Sequence, residues 1–260
     1  MRDLIVALPL WAIAALMTLF FWLVTTTARK AVLRRRDAEA REALAEQASN
    51  LLTGVAATFA FFVGFAISIC WGAVTAAQNA VEQQATAVHQ MAWELNNITD
   101  RTASAALLDK LRAFATTAAT QDDDVLRTGR IGIMPSAAPL DVFENALHAY
   151  AYAPGTPDRQ AAALTAAAST LSTSSAAVAV VANRALPRPL AGLLLVVGVL
   201  TSVLMGISTV IYRRPSLILV WCLIPAVSIT TVLALAYPFA TRSGGNLVPI
   251  RAVAEQLATP

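Results

Sequence analysis

Charged side chains are scarce in this sequence of 260 residues, and cysteine is nearly absent. Asp, Glu, Lys and Arg together make up 13% of the chain, about half of the roughly 25% that soluble domains carry. Hydrophobic residues make up 57%, so the composition is that of a membrane protein. The two cysteines, Cys70 and Cys222, both lie inside apolar runs. This placement excludes a disulfide framework as the basis of the fold.

The motifs by which enzymes and metal proteins are recognised are also missing. The sequence contains no nucleophile elbow, no phosphate-binding glycine loop and no HExxH helix. His89 and His148 are the only histidines, and neither has a second His or a Cys at metal-ligand spacing. No basic run interleaved with aromatics accompanies the net charge of +3. We therefore expect no enzymatic activity, no cofactor, no metal and no nucleic-acid partner.

Four uncharged apolar runs dominate the chain, at residues 4–24, 51–74, 190–212 and 217–239. A helix rises 1.5 Å per residue, so about 20 residues cross the hydrocarbon core of a bilayer. The first run is longer than the apolar segment of a signal peptide, which is about 7–15 residues, and we interpret it as a retained anchor. The sequence thus predicts an all-α membrane protein with four transmembrane helices.

Positive charges beside these runs predict the orientation. Short loops rich in Lys and Arg stay in the cytoplasm, and both such loops here lie on the same side. We therefore expect a bacterial cytoplasmic (inner) membrane protein with both termini outside. The predicted segments are transmembrane helix 1 at 1–28, a basic cytoplasmic loop at 29–50, transmembrane helix 2 at 51–74, a helical extracytoplasmic region at 75–188, transmembrane helix 3 at 189–212, a cytoplasmic hairpin at 213–216, transmembrane helix 4 at 217–239 and an extracytoplasmic tail at 240–260.

The region 75–188 predicts a small helical bundle on spans two and three. Residues 75–95 continue span two as a stalk, with Glu82, His89 and Trp93 on a polar face. A break follows at 97–100, where Thr99 or Asp100 is suited to cap the next helix. We expect further helices at 103–119, 141–152 and 158–186, and a loop at 121–140.

Two stripes of small residues predict how the spans pack. Span two carries Gly64, Ser68 and Gly72, and span three carries Gly198, Ser202 and Gly206, each set at four-residue spacing. Small residues let helix backbones approach closely in lipid. The pattern predicts that the two stripes meet as an antiparallel pair.

Phe61, Phe65 and Ile69 of span two share one helix face. A ring of such side chains in an oligomer would form a hydrophobic pore constriction that gates by dewetting. The alternative is that these residues face lipid or a protein core, because a stripe of this kind is a generic helix pattern. On the pattern alone we favour that alternative.

Three short motifs resemble a bacterial family of unknown function, the bestrophin-like domain. They are Phe61-Phe62-Val63-Gly64-Phe65 followed by residues 76–88 with an acidic Glu82, then Asn183-Arg184-Ala185-Leu186-Pro187, and Tyr237-Pro238-Phe239 near the end. The resemblance covers most of residues 51–258. Ala236 stands where the family usually has an acidic residue. The resemblance implies an anion channel by analogy with bestrophins.

The charge pattern conflicts with that analogy, because bestrophins keep the region between their second and third spans in the cytoplasm. We therefore expect a non-enzymatic multi-pass membrane protein that acts through its external helical region, as a sensor, assembly factor or accessory subunit. The alternative is an oligomeric bestrophin-like anion channel with span two lining the pore. A transporter is disfavoured because no span contains an ionisable residue. The expected partners are the lipid bilayer and either further copies of the chain or another membrane protein.

Overall fold

The computed structural model describes residues 2–35, 37–128, 134–182, 187–211, 218–241 and 246–258, and this part of the chain contains helices and no strands. The all-α membrane fold expected from the composition is confirmed. Several predicted features lie outside the described residues, namely Arg36, residues 183–186 and the hairpin 213–216. The described helices are α1 (Arg2–Ala7), α2 (Leu10–Leu33), α3 (Ala38–Asn96), α4 (Arg101–Thr120), α5 (Asp122–Thr128), α6 (Ala137–Ala151), α7 (Asp158–Ala182), α8 (Arg188–Ser208), α9 (Ile218–Ala236) and α10 (Val248–Ala258).

Helix α3 is much longer than the predicted second span. It has 59 residues and begins at Ala38, so the predicted basic loop at 29–50 shrinks to a few residues after α2. The residues 38–50 are rich in Ala and Glu, which favour helix strongly. Hydropathy located the apolar part of α3 but gave no signal for its polar start.

The chain divides into two compact units. The first contains Asp3–Gly72 and Ala185–Ala236. In it α2 packs against both α8 and α9, with Phe21 and Ile13 of α2 fully buried. The Thr25 hydroxyl of α2 lies 3.6 Å from the Cys222 sulfur of α9 and is within hydrogen-bonding reach of it. This unit is therefore a bundle whose interior is filled by its own side chains.

The outer surface of the first unit is apolar. Large exposed side chains on α2, α8 and α9 include Trp11, Leu16, Val196, Leu219 and Ile224. Such a surface is unfavourable in water and natural in lipid. By length and hydropathy, five described helices could cross a membrane: α2, α3, α7, α9 and the helical stretch Pro189–Ile211. The pattern of apolar runs and positive charges predicts that α7 lies outside the membrane, and that placement stays a prediction.

The second unit contains Ala73–Arg184 and Tyr237–Pro260. Its core joins the later part of α3 to α4, α6, α7 and α10, through buried side chains such as Met91, Phe114, Phe143 and Leu171. The predicted tail contributes α10, whose Ile250 is fully buried. The C-terminal helix is thus an integral part of this unit, because its apolar face completes the core beside α4.

Local signals explain where the helices of the second unit begin. Asp100 caps α4 by accepting hydrogen bonds from the backbone N–H groups of Thr102 (2.9 Å) and Ala103 (3.1 Å). The predicted loop at 121–140 contains α5 and the start of α6. The three aspartates at 122–124 form the first turn of α5, where the helix dipole favours negative charge. Asp122 is buried rather than solvated and accepts hydrogen bonds from the Ser136 N–H and hydroxyl.

Candidate functional site: the exposed face of helix α3

Within the first unit, the three residues predicted to form a constriction lie together on the outer face of α3. Phe61 is 69% exposed, Phe65 52% and Ile69 41%. The opposite face is buried through Val63, Ala66 and Cys70. A helix brings residues four apart onto one face, so the observed exposure follows the predicted stripe. Large aromatic side chains on an outer face must contact lipid, another subunit or a pore.

Within the second unit, the predicted polar stalk residues Glu82, His89 and Trp93 are also exposed. Residues on the other side of this part of α3, such as Val88 and Leu95, are fully buried. The stalk is held to α7 by a side-chain hydrogen bond of 3.3 Å from the Gln84 amide to the Ser175 hydroxyl. The exposed stalk face is therefore presented by a helix whose inner side is fixed.

A polar groove of about 590 Å³ runs between α3 and α7 in the second unit. Glu82 is the one charged side chain among the described residues that line it. The remaining polar lining consists of amides and hydroxyls: Asn79, Gln83, Thr86 and Gln90 from α3, and Ser169, Thr170, Thr173 and Ser174 from α7. The sequence pattern did not single out the α7 residues, because they occur in a low-complexity Ala, Ser and Thr helix. Their hydroxyls recur at four-residue spacing, and this spacing could have indicated a polar face on α7.

The two small-residue stripes do not meet within this chain, contrary to the predicted packing. A side chain at Gly64 or Gly72 would have no neighbour within 4 Å, and Ser68 is exposed. The stripe on α8 does form a close contact, but with α2. A Cβ at Gly198 would lie 3.2 Å from the Phe21 ring, and one at Gly206 would overlap the Thr25 carbonyl oxygen.

Ser202, between those two glycines, is buried and donates a 3.0 Å hydrogen bond to the Gly198 carbonyl. The α8 stripe therefore packs closely against α2 at Gly206, and at Gly198 it faces side chains of both α2 and α3, but the small residues of α3 do not form the contact. Small residues create room for a neighbour, and the neighbour that fits is decided by the bulky side chains facing them. Here the Phe21 ring and the α2 backbone occupy that room, together with the Phe59 ring of α3, which lies 3.5 Å from the Cβ position of Gly198.

The described residues contain no group of three or more His, Cys, Asp or Glu side chains that could hold a metal ion. The chemistry of the exposed α3 face is therefore that of apolar rings in the first unit, and of amides, hydroxyls and one carboxylate in the second. Such surfaces can contact lipid, another copy of the chain or a column of water and ions. They offer no nucleophile or general base with a positioned partner.

Comparison with known protein families identifies the family of this chain. A family model described as the bestrophin-like domain matches residues 11–242. The chain belongs to the bestrophin-like family. The resemblance recognised from three short motifs is thereby confirmed, and the match begins in α2, well before the first of those motifs.

Solved structures support the same fold for this bestrophin-like chain. A bacterial bestrophin homolog from Klebsiella pneumoniae matches with a TM-score of 0.66 and 16% identity, covering 94% of this chain and 95% of that one. Two single-substitution variants of that homolog give TM-scores of 0.67 and 0.68 at 17% and 15% identity. Their coverage is 94% and 96% of this chain, and 97% and 96% of theirs. Among curated proteins none matches.

Proposed function

We propose that this chain is one subunit of an oligomeric bestrophin-like anion channel, with α3 lining the pore. The observation that carries the proposal is the outward-facing Phe61, Phe65 and Ile69 face on a bestrophin-like chain. Family membership supports this alternative better than the sensor or accessory-subunit interpretation that we first favoured.

The packing of the first unit favours a pathway between copies rather than through one chain. The interior of this unit is filled by buried side chains such as Phe21, Ile13 and Ala226. A continuous aqueous path would therefore form where several copies of α3 face a common axis. The exposed aromatic face would then point to that axis or to a neighbouring copy, and its burial would compensate for its exposure in the single chain.

The proposed constriction works by dewetting. Phenyl and sec-butyl side chains offer no hydrogen bonds, so a narrow ring of them expels water and raises the barrier for any hydrated ion. Such a ring has no charge and does not choose the sign of the ion. The choice of anions rests on the analogy with bestrophins, and the neutral amides and hydroxyls along α3 and α7 are compatible with either sign.

Currents from purified protein in planar bilayers test the proposal. Under a KCl gradient, we expect channel currents that reverse near the chloride equilibrium potential. Phe65→Ala should widen the constriction and increase the open probability, whereas Phe65→Asp should suppress anion current through a ring of negative charge. Phe20→Ala is the matched control, because Phe20 is a similarly exposed phenylalanine on α2, and it should leave the current unchanged.

Two results would refute parts of this proposal separately. Reversal near the potassium equilibrium potential would make the protein a cation channel and refute the anion assignment. Absence of current, together with a monomer in native mass spectrometry, would refute the channel itself and return the sensor or accessory-subunit interpretation to first place.

A further inference from the structure

A small cavity of about 260 Å³ lies between α6 and α7 in the second unit. Helix α6 contributes Glu144 and His148 to its lining, which are one turn apart. Helix α7 contributes Thr165, Ser169 and Ser172, which recur at helical spacing. The cavity therefore combines a carboxylate, an imidazole and three hydroxyls.

The α7 hydroxyls have already used their protons. The Thr165 hydroxyl donates to the Ala161 carbonyl at 2.9 Å, and the Ser169 hydroxyl donates to the Ala166 carbonyl at 3.0 Å. A hydroxyl has one proton and two lone pairs, so each of these oxygens can only accept a further hydrogen bond. The α7 wall of the cavity thus offers acceptors to a ligand.

Glu144 adds an acceptor that lacks a donor. Its Oε1 is buried and has no hydrogen-bond partner among the described residues. The Ser172 hydroxyl bonds the same carboxyl group. Burial raises the pKa of Glu144, the bond from Ser172 lowers it, and the charge of the nearby Asp141 raises it. A buried carboxylate oxygen without a donor is costly, and no Lys or Arg occurs in the described lining to offset it.

We propose that this cavity binds a small primary ammonium ion. An ammonium group has three N–H donors and no acceptor, which complements the carboxylate of Glu144 in the cavity lining and the acceptor-only hydroxyls of Thr165 and Ser169. The apolar side chains of Leu147 and Ala168 also line the cavity and provide contact for a short alkyl chain.

Other ligand classes fit less well. A metal ion generally takes three or more strong protein ligands, whereas the described lining offers one carboxylate and one imidazole. An anion would meet the Glu144 carboxylate and acceptor oxygens. The ligand is therefore distinct from the ion that the proposed channel conducts, and this inference holds whether or not the chain is a channel.

Binding to the full chain in detergent, measured by isothermal titration calorimetry or saturation-transfer NMR, tests the inference with two probes. Butylammonium keeps the three N–H donors, while butyltrimethylammonium has the same charge and none. We expect saturable binding of butylammonium, with about tenfold weaker binding of the trimethyl compound, since the latter cannot donate a hydrogen bond to the charged carboxylate. Equal binding of the two probes, or no saturable binding, would overturn the proposal.

Variants locate the site. Glu144→Gln should weaken butylammonium binding about tenfold, and Thr165→Val, which removes an acceptor at nearly constant volume, should weaken it several-fold. Glu255→Gln makes the same chemical change as Glu144→Gln at an exposed position on α10 and should leave binding unchanged. If Glu144→Gln fails to fold, the Thr165→Val variant decides. Zn²⁺ binding that is lost in both Glu144→Gln and His148→Ala would instead make the cavity a metal site and overturn the proposal.

Discussion

Replacing three glycines by alanine, one at a time, tests how α8 packs in the first unit. In Gly206→Ala, the new Cβ would overlap the Thr25 carbonyl oxygen and lie 3.0 Å from the Ala28 Cβ. A backbone atom cannot move aside by changing a rotamer, so α8 must shift. Overpacking typically costs about 1–3 kcal/mol, and the better helix propensity of Ala returns up to about 1 kcal/mol. We expect a net loss of about 1–2 kcal/mol, because the overlap with a backbone atom puts the overpacking cost in the upper part of that range.

The other two glycines provide graded controls. Gly64→Ala meets nothing within 4 Å, so it should gain up to about 1 kcal/mol from helix propensity alone. Gly198→Ala places its Cβ 3.2 Å from the Phe21 ring. A ring edge yields by a few tenths of an ångström more easily than a carbonyl, so this variant should fall between the other two. The predicted stability order is Gly64→Ala, then Gly198→Ala, then Gly206→Ala.

Equilibrium unfolding of the purified variants in one detergent, followed by tryptophan fluorescence, measures this order. If Gly206→Ala were as stable as Gly64→Ala, the close approach of α2 to α8 would be refuted. If Gly64→Ala destabilised the oligomer, the exposed face of α3 would be packed tightly against a neighbouring copy at that depth, and a side chain there would not point into an open pore.

Four further predictions concern single side chains of the second unit and the orientation of the chain. Glu82→Gln should increase the ratio of anion to cation permeability in reversal-potential measurements, and an unchanged ratio would place Glu82 away from the ion path. Asp122→Ala should cost about 2 kcal/mol of unfolding free energy, because the buried Ser136 N–H and hydroxyl lose a charged acceptor, while the exposed Asp124→Ala should change little. Burial raises the pKa of Asp122 despite its bonds from Ser136, so the Asp122 carboxyl stays protonated to higher pH in the native state than in the unfolded chain. The contribution of Asp122 to the free energy of unfolding should therefore fall as pH rises through its native pKa. An Asp122→Asn variant should lose that pH dependence. In whole cells, an impermeant thiol reagent should label a cysteine at Asp124 and spare one at Arg35, and the reverse pattern would invert the predicted orientation.

Features set by near neighbours along the chain were accessible from the sequence. The uncharged runs predicted the membrane helices, because a run of about 20 apolar residues is typical of a helix that crosses a bilayer. Thr99 and Asp100 were predicted as alternative helix caps from their place at a polar break, and Asp100 accepts the expected bonds. The spacing of Phe61, Phe65 and Ile69 predicted one shared face, which is exposed as a unit. The order of three short motifs predicted the family.

The partner of each face was decided only by the tertiary structure. The glycine stripe of α8 predicted a close neighbour but did not say which helix it would be. The contact of Gly206 with the α2 backbone at Thr25 decides for α2 at that level, whereas Gly198 faces the rings of both Phe21 from α2 and Phe59 from α3. Asp122 belonged to a run of three identical residues, and only its contact with Ser136 separates the buried carboxylate from its two neighbours. The α6–α7 cavity likewise depends on two helices meeting in register. Local composition fixes which elements form, whereas steric fit and the satisfaction of buried polar groups, both properties of distant residues, fix which of them touch.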